Sequence, residues 1–428
     1  MIGALFAACV VLLALGVPVA FALGGATLVA ILVNGSLPLL ALPKYLFSGI
    51  DIFALEAVPF FILTAELMTG GALSDVLLRF ASQFVGRFRG GLGHTNILTL
   101  TFFSGISGSA LADAAGPGAI MIRMMRNDGY DPGYAAALTA ATSILGPIIP
   151  PSISVIIYAL AYPDVNLVGL LIAGVVPGIL IALAMAAINH GVSTRRNYRG
   201  TRQRYTLRDY ARNTWRALPA LVLPVLILGG IASGRFTPTE ASVVAVFYAL
   251  LVGRFVYRSL QWHMLPGILA RSALMTASVL IIVAMSAAFA WVLTVSRVPQ
   301  DLTAWIVGLH LSPLAFLFAV NVLLLVFGIF IEPLPGIVVL VPILAPIAHA
   351  LGIDDLQFGI LVIVNLTMGM ITPPVGGLLF VTSIVAKVPL ARLTRELWPF
   401  LLAQLVVLVL LSVFPILSAG LPNALGYR

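Results

Sequence analysis

The chain has 428 residues, of which 61% are hydrophobic and 9% are charged, and its mean hydropathy is +1.11. This composition excludes a soluble globular protein and predicts one that crosses a membrane several times. The net charge of +8 would suggest nucleic acid as a partner of a soluble protein, but here the placement of the charge indicates membrane topology. The one cysteine, Cys9, excludes disulfides within the chain and cysteine metal sites.

Apolar stretches long enough to span a membrane recur along the sequence. The first, about residues 4–33, has no basic residue before it and continues through Pro18, which predicts an uncleaved helix rather than a signal peptide. The later stretches lie at about 52–69, 134–161, 167–189, 217–233, 239–256, 273–295, 357–384 and 399–417. Together with shorter paired runs between them, they predict an all-α polytopic membrane protein.

Two apolar segments carry a proline pair in the middle, and the pairs are 223 residues apart: Pro150-Pro151 and Pro373-Pro374. The same offset places Gly105 on Gly328, Asp131 on Asp354 and Gly146 on Gly369. A proline removes a backbone donor and clashes with the preceding turn, so each pair breaks its helix and frees backbone groups. We therefore predict an internal repeat with broken helices at 134–161 and 357–384, a feature typical of substrate and ion sites in transporters.

The basic residues predict which loops face the cytoplasm, because cytoplasmic loops are enriched in Lys and Arg. Of the 23 Lys and Arg residues, 19 fall in five places. These are Arg79/Arg87/Arg89, Arg123/Arg126, the 195–216 loop, Arg254/Arg258/Arg271 and Lys387/Arg392/Arg395. With all five in the cytoplasm, only Lys44, Arg235, Arg297 and Arg428 lie outside.

These anchors leave two segments that must leave and return on the same side, as re-entrant hairpins. The hairpin at about 93–125 opens to the cytoplasm and the hairpin at about 312–350 opens to the outside, so the repeats are inverted. Each hairpin precedes a broken helix, and we expect both tips and both breaks to meet near the midplane.

This topology divides the chain into a first repeat, 1–190, a basic linker, 191–216, and a second repeat, 217–428. The linker is expected to be a solvated cytoplasmic or interfacial segment that meets anionic lipid headgroups rather than nucleic acid.

The sequence offers little for covalent catalysis, since its five histidines lie apart and no Walker-type phosphate loop occurs. Hydroxyls, free carbonyls and helix ends suit a dehydrated sodium ion and an anionic substrate. We predict a first sodium site at Ser104, Gly105, Ser107, Ser109, Ser143 and Gly146. A second is predicted at Gly328, Glu332, Thr367, Gly369, Met370, through its backbone carbonyl, and Thr372. The alternative is that these small residues only permit close helix packing.

Asp113 and Glu332 are the acids expected at membrane depth, where a charge is costly and usually marks an ion or substrate path. The alternative is that each caps a half-helix or pairs locally. Asp113 and the four residues of the proline pairs, Pro150, Pro151, Pro373 and Pro374, are therefore candidates for substrate contact or for the helix breaks. Glu66 and Glu240 are interpreted as structural, and Thr237 or Thr239 before Glu240 predicts a helix N-terminus.

Several motifs in order resemble the large membrane subunit of tripartite ATP-independent periplasmic (TRAP) transporters. They are Val58-Pro-Phe-Phe-Ile-Leu-Thr-Ala-Glu-Leu-Met68, Gly90-Gly-Leu, Phe103 to Asp113, Gly129-Tyr-Asp, Ile149-Pro-Pro-Ser-Ile153, Phe236-Thr-Pro-Thr-Glu-Ala241, Leu351-Gly-Ile-Asp354 and Ile371-Thr-Pro-Pro-Val-Gly376. Within this likeness, Ser104, Ser107 and Ser109 match the family's first tip, and Thr372-Pro373-Pro374 matches its second break.

The resemblance implies an elevator-type, sodium-driven importer in a bacterial inner membrane, with sodium as the coupling ion and no other cofactor. It implies a small organic anion as substrate, such as a C4-dicarboxylate or a sialic acid-like carboxylate. It also implies two partners, a periplasmic substrate-binding protein and a small four-helix membrane subunit on a separate polypeptide.

Pro117 and Arg123 depart from the family pattern. Pro117 could reshape the return arm of the first hairpin, and Arg123 could attract an anion at the cytoplasmic mouth or simply follow the positive-inside rule. Three other functions stay open: a stand-alone sodium/anion symporter or exchanger, a passive channel, and an intramembrane enzyme using Asp113 or Glu332 as acid or base.

Overall fold

The computed structural model describes residues 1–35, 37–68, 71–200 and 205–427, and these residues form helices and connecting turns without a β-strand. Seven helical segments among them are long and apolar enough to cross a membrane. The prediction of an all-α polytopic membrane protein is confirmed.

The helices of the first half begin the element order. They are α1 Ile2–Ala14, α2 Val19–Asn34, α3 Ala41–Ile50, α4 Ala57–Met68, α5 Gly71–Val85, α6 Gly91–Ser107, α7 Ala110–Ala115, α8 Pro117–Asn127, α9 Pro132–Ser143, α10 Ile153–Ala161, α11 Leu167–Ala173 and α12 Val175–Arg195.

The second half continues the order. Its helices are α13 Leu207–Ala232, α14 Pro238–Leu251, α15 Leu265–Val295, α16 Val298–Gly308, α17 Pro313–Phe330, α18 Pro333–Ala350, α19 Asp355–Gly369, α20 Gly377–Ala386, α21 Leu390–Val413 and α22 Ile416–Ala424.

The first apolar stretch is not one helix, so the prediction for 4–33 is wrong. It forms α1 and α2, which pack against each other on either side of a turn. Gly16 takes the left-handed conformation with φ of 79°, which glycine adopts at little cost. Pro18 precedes α2 and could not continue α1, because its ring clashes with the preceding helical turn.

The predicted hairpin at 93–125 is present as a helical hairpin formed by α6, α7 and α8. Gly108, with φ of 61°, ends α6, and the side chain of Ser109 caps α7 by accepting from the amide of Ala112 at 3.4 Å. α8 then packs back along α6. Its re-entry into a membrane stays a prediction.

The predicted hairpin at 312–350 is formed by α17 and α18, with the turn at Ile331–Glu332. Each arm has 18 residues and is by length and apolar composition able to span a membrane alone. The hairpin is therefore seen as a helix pair, while its re-entrant placement stays a prediction.

The helix bounds of the two halves follow the 223-residue offset. Subtracting 223 from α17, α18, α19 and α20 gives 90–107, 110–127, 132–146 and 154–163. The observed helices of the first half span 91–107, 110–115 with 117–127, 132–143 and 153–161. Both proline pairs are joined by cis peptide bonds. The breaks predicted within 134–161 and 357–384 are thus present, at 144–152 and 370–376.

The two halves interlock at the tips and breaks. α7 of the first tip packs on α20 beyond the second break, and α10 beyond the first break packs on α18 of the second tip. Glycines permit this close approach: a Cβ on Gly359 of α19 would lie 3.1 Å from Cε1 of Tyr158 of α10. A helix of each tip therefore packs on the helix that follows the break of the other half, while the meeting of tips and breaks near the midplane stays a prediction.

The linker predicted at 191–216 includes residues 201–204, which lie outside the described residues. Its described part packs on the first half through Tyr198, whose carbonyl accepts from the amide of Gly90 at 3.0 Å. The ring of Tyr198 stacks on Tyr130 with centroids 4.2 Å apart. The two ends of the predicted linker are helical, since α12 continues to Arg195 and α13 begins at Leu207, where Thr206 forms a capping box with Asp209.

Candidate functional site

The first tip contains a buried carboxylate held by two serine hydroxyls. Ser104 Oγ lies 3.0 Å from Oδ2 of Asp113 and 2.7 Å from Leu100 O of its own helix, and the Ser107 hydroxyl donates to Oδ1. Asp113 and Ser104 are fully buried and Ser107 is 4% exposed. No basic side chain pairs with Asp113 among the ion pairs of the described residues. Asp113 thus pairs locally, as the structural alternative expected, and its charge depends on neutral donors.

The local sequence explains how Asp113 reaches these serines. Gly108 turns the chain sharply after α6, and Ser109 starts the short helix α7 within two residues. Asp113 then stands in the first turns of α7, beside the last turns of α6 that carry Ser104 and Ser107. The spacing of one glycine and three serines is therefore what folds the tip back on itself.

The first break packs directly on this tip. A Cβ on Gly146 would lie 2.9 Å from Asp113 Oδ2 and 2.8 Å from the carbonyl carbon of Ser109, so glycine is needed for the approach. A Cβ on Gly108 would lie 3.1 Å from the carbonyl oxygen of Pro151. Both Pro150 and Pro151 are buried.

The other predicted residues of the first site divide into two groups. Ser109 caps α7 and lies beside Gly146. Gly105 faces the break and α13, since its Cβ would lie 3.6 Å from the Pro150 carbonyl oxygen and 3.2 Å from Cγ of Pro224. Ser143 is turned away, because its hydroxyl donates to Thr139 O of its own helix at 2.8 Å.

Sequence reasoning missed Ser152, which is fully buried and organises the first break. Its hydroxyl donates to Pro147 O and accepts from the amide of Val155 at 3.3 Å. A serine that directly precedes an apolar helical run is a recognisable N-cap signal, so the segment Pro151-Ser152-Ile153 indicates that a helix begins after Ser152.

The second tip and break meet through backbone. A Cβ on Gly328 would lie 3.1 Å from Gly369 Cα and 3.1 Å from Leu366 O, and a Cβ on Gly369 would overlap the backbone of Gly328. The structure therefore brings together these two predicted residues of the second site.

The hydroxyls of the second site bond to their own helix. Thr367 Oγ1 donates to Ile363 O at 2.6 Å, and Thr372 Oγ1 donates to Met368 O at 2.9 Å. The Met370 carbonyl accepts from the amide of Leu378 at 3.0 Å. Each of these oxygens keeps a further lone pair.

Glu332 differs from Asp113 in its surroundings. It occupies the N-cap position of α18, but its side chain makes no capping bond, so the expectation that it caps a half-helix is wrong. Glu332 is exposed, and the described residues give it no hydrogen-bonding or charged partner. Pro374 and Gly377 are exposed as well, while Pro373 and Thr372 are half-buried.

Three longer helices start at the tips and breaks: α10 at Ile153, α18 at Pro333 and α20 at Gly377. Helix N-termini carry partial positive charge and free amides, which favour anions. Among the described residues no group of three or more His, Cys, Asp and Glu side chains could hold a metal ion. The tips and breaks instead carry hydroxyl and carbonyl oxygens, which suit sodium, and backbone amides at helix N-termini, which suit a carboxylate.

The acids interpreted as structural behave as predicted. Glu66 Oε2 lies 2.9 Å from Nε of Arg271. Glu240 accepts from the Thr237 amide at 2.8 Å and its own amide donates to Thr237 Oγ1 at 3.2 Å, so α14 begins with a capping box at Thr237. Thr239 instead donates to Phe53 O at 3.1 Å.

The two departures also have defined places. Pro117 is the first residue of α8, a position where proline is well tolerated, so it starts the second helix of the return arm after α7. Arg123 is exposed on α8.

Residues 6–417 match the family described as tripartite ATP-independent periplasmic transporter, DctM component. The chain belongs to this DctM family. It is 39% identical over 428 residues to the sialic acid TRAP transporter large permease protein SiaM of Vibrio cholerae, covering 100% of both chains. It is 41% identical over 381 residues to the C4-dicarboxylate TRAP transporter large permease protein DctM of Pseudomonas aeruginosa, covering 89% of each.

The fold of this DctM family member is similar to the solved YdaH transporter of Alcanivorax borkumensis. The TM-score is 0.60 at 16% identity, over 87% of this chain and 88% of that chain. The family and the apolar helices make the chain a TRAP transporter large permease and a multi-pass protein of the bacterial inner membrane.

Proposed function

We propose that this DctM family member is the large permease of a sodium-coupled importer of a small carboxylate-bearing anion. It works with a small four-helix membrane subunit and receives its substrate from a periplasmic binding protein. The observation that carries the proposal is the buried Ser104–Ser107–Asp113 cluster beneath Gly146, a polar tip packed on a helix break. The named substrates of the relatives from V. cholerae and P. aeruginosa support a carboxylate.

The first sodium ion binds where Asp113 provides negative charge and the serines of the tip provide hard oxygens. A sodium ion there takes oxygens from Ser107 and Ser109 and from carbonyls of the break around Gly146. The full burial of Asp113 makes its neutralisation by a cation favourable, because a buried charge without a counter-ion is costly.

The second sodium ion and the substrate share the more open second half. Thr367 and Thr372 hydroxyl oxygens and carbonyls between Gly369 and Thr372 are the oxygen ligands. The substrate carboxylate lies toward the N-termini of α18 and α20. The exposed Glu332 repels this anion until sodium offsets its charge.

Coupling then follows from differential binding, since an ion drives transport only as far as it favours the state that also binds substrate. In this proposal α6–α10 and α17–α20 form the mobile unit of an elevator. The remaining helices form the scaffold with the small subunit.

The experiment that tests the proposal is uptake into proteoliposomes holding this chain with its small subunit. Labelled C4-dicarboxylate and sialic acid are tested with and without an inward sodium gradient and with and without the binding protein. Uptake that needs both supports the full proposal. Sodium-dependent uptake without the binding protein would instead identify a stand-alone symporter, and uptake that ignores the gradient would contradict sodium coupling.

A further inference from the structure

Gln404 is a fully buried polar residue of α21 that reaches across to the other half of the chain. Its Nε2 lies 2.8 Å from the carbonyl oxygen of Ala141, in the last turn of α9, and 3.5 Å from Sδ of Met185 in α12. Only the amide nitrogen can donate to a carbonyl, so this orientation is set by its partner. Its Oε1 has no hydrogen-bond partner.

The Ala141 carbonyl needs this donor because α9 ends early. In a continuing helix it would accept from the amide of Leu145. Here the amide of Leu145 bonds to Thr142 O at 3.1 Å and the amide of Gly146 bonds to Ser143 O at 3.2 Å. These bonds span three residues instead of four, as in a 3₁₀-helix. The Ala141 carbonyl is therefore left without a backbone donor, like other carbonyls at a helix C-terminus.

The second half does not have this requirement. α19 stays helical through Gly369, which corresponds to residue 146 after subtraction of 223, three residues beyond the end of α9. Val364, the counterpart of Ala141, therefore lies inside its helix. The counterpart of Gln404 is Ile181, which is fully buried and has no side-chain donor.

We propose that Gln404 is a positioning residue that holds the early break of α9 and thereby places Gly146 against the Asp113 tip. It acts through Ala141 and touches neither ion nor substrate. The break delivers the carbonyls that follow Ser143 to the first sodium site, so loss of the Gln404 bond lowers sodium affinity there. This step rests on the proposed function.

The test compares two buried glutamines that undergo the same chemical change. Gln404→Met keeps the length of the side chain and removes the donor. The matched control is Gln357→Met: Gln357 is 3% exposed, and its Nε2 donates to Leu411 O at 2.9 Å and Ser412 O at 3.1 Å, in the last turn of α21 and not to the first break.

Two readouts are taken on the complex with the small subunit. One is the sodium concentration that gives half of the sodium-induced rise in melting temperature. The other is amide hydrogen exchange in a peptide covering 142–149, measured without sodium. For Q404M we expect the half-effective sodium concentration to rise about tenfold, the effect of leaving one buried carbonyl unpaired, together with faster exchange in that peptide. For Q357M we expect a lower melting temperature with neither change.

The proposal is overturned if the half-effective sodium concentration rises equally in the two variants. It is also overturned if amide exchange in the 142–149 peptide is unchanged in Q404M. If Q404M does not assemble, Gln404→Leu, which is shorter and also lacks a donor, takes its place with the same expectations. If the wild-type complex shows no sodium response, the proposed sodium coupling fails. The exchange comparison then still decides whether Gln404 holds the break.

Discussion

The first tip and break are closed, whereas the second tip and break are open. In the first, Asp113 is enclosed by Ser104, Ser107 and Gly146, and the prolines are buried. In the second, Glu332, Pro374 and Gly377 are exposed. The helix order is repeated in both halves, but α9 ends three residues earlier than its counterpart α19 and the arm formed by α7 and α8 is one helix, α18, in the second half. The halves therefore differ in backbone as well as in side chains. Under the proposed function, one repeated scaffold provides an enclosed ion site in one half and a more accessible site in the other.

The largest effect is expected from a side chain added where tip and break touch through backbone. Gly369→Val would place its Cβ on the backbone of Gly328, where neither neighbour is a flexible side chain that could yield. We expect uptake to be abolished and the melting temperature to fall, since overpacking typically costs about 1–3 kcal/mol and occasionally more.

The matched control is Gly229→Ala in α13, whose added Cβ meets no atom within 4 Å. It should change uptake and melting temperature little. Normal uptake by G369V would show that the second contact between tip and break is not required.

The next effect separates the two acids. Asp113→Ala leaves the Ser107 hydroxyl without its acceptor in a buried site, while Ser104 keeps the Leu100 carbonyl at 2.7 Å. The loss should destabilise the protein by about 1–3 kcal/mol. Glu332→Gln removes a charge that has no partner among the described residues, so the melting temperature should not change while sodium-driven uptake falls. Thermal unfolding and uptake of both variants check this, and a destabilised E332Q would contradict the open character of the second site.

A smaller effect is expected for the hydroxyls themselves. Ser107→Ala removes a donor to Asp113 and Thr372→Ala removes a hydroxyl bonded only to its own helix. Both should make uptake depend less steeply on the sodium concentration. Only S107A should also lower the free energy of unfolding, by about 1 kcal/mol, and with it the melting temperature. Unchanged steepness in both variants would count against both sodium sites.

The smallest effect compares the equivalent N-caps Asp131 and Asp354, which accept from the amides of Tyr134 and Gln357 at 3.0 and 2.9 Å. Asp131 also pairs with Arg392, with the two side chains 24% and 52% exposed. Asn can cap a helix as Asp does. Asp131→Asn should therefore cost only the partly exposed ion pair, at most about 1 kcal/mol, and Asp354→Asn less. Melting temperatures at neutral pH test this order.

The Asp131 ion pair also predicts a pH dependence. Burial raises the pKa of Asp131, but the hydrogen bond from the Tyr134 amide and the Arg392 guanidinium together lower it by more. The pKa of Asp131 therefore lies below its ordinary value. A carboxyl with a lowered pKa in the folded state stabilises the fold above its unfolded pKa of about 4. That contribution is lost as the pH falls through the folded value. The difference between wild type and D131N should therefore vanish in acid.

Much of the fold could be predicted because its signals are local. The proline pairs set the breaks, glycines and serines set the first tip, and Thr237 with Glu240 sets the start of α14. The division of the first stretch into α1 and α2 was missed, although Gly16 and Pro18 mark it.

Partners that depend on packing between distant residues could not be predicted. Nothing in the sequence indicates that Glu332 meets no hydrogen-bonding or charged partner among the described residues. Gln404 is 263 residues from Ala141, and no periodic pattern connects them. The direction of the Ser143 hydroxyl was missed for a different reason, because it donates to Thr139 O of its own helix instead of facing the site.

The single cysteine has a practical consequence for following movement in this protein. Cys9 lies in α1 and is 9% exposed, and a buried structural thiol is expected to be inert toward labelling reagents. The natural chain is thus nearly a thiol-free background. Cysteines introduced in pairs, one on exposed Arg123 of α8 and one on exposed Leu274 of α15, could carry spin or fluorescent labels. The distance between them would report displacement of hairpin and scaffold without first removing native thiols.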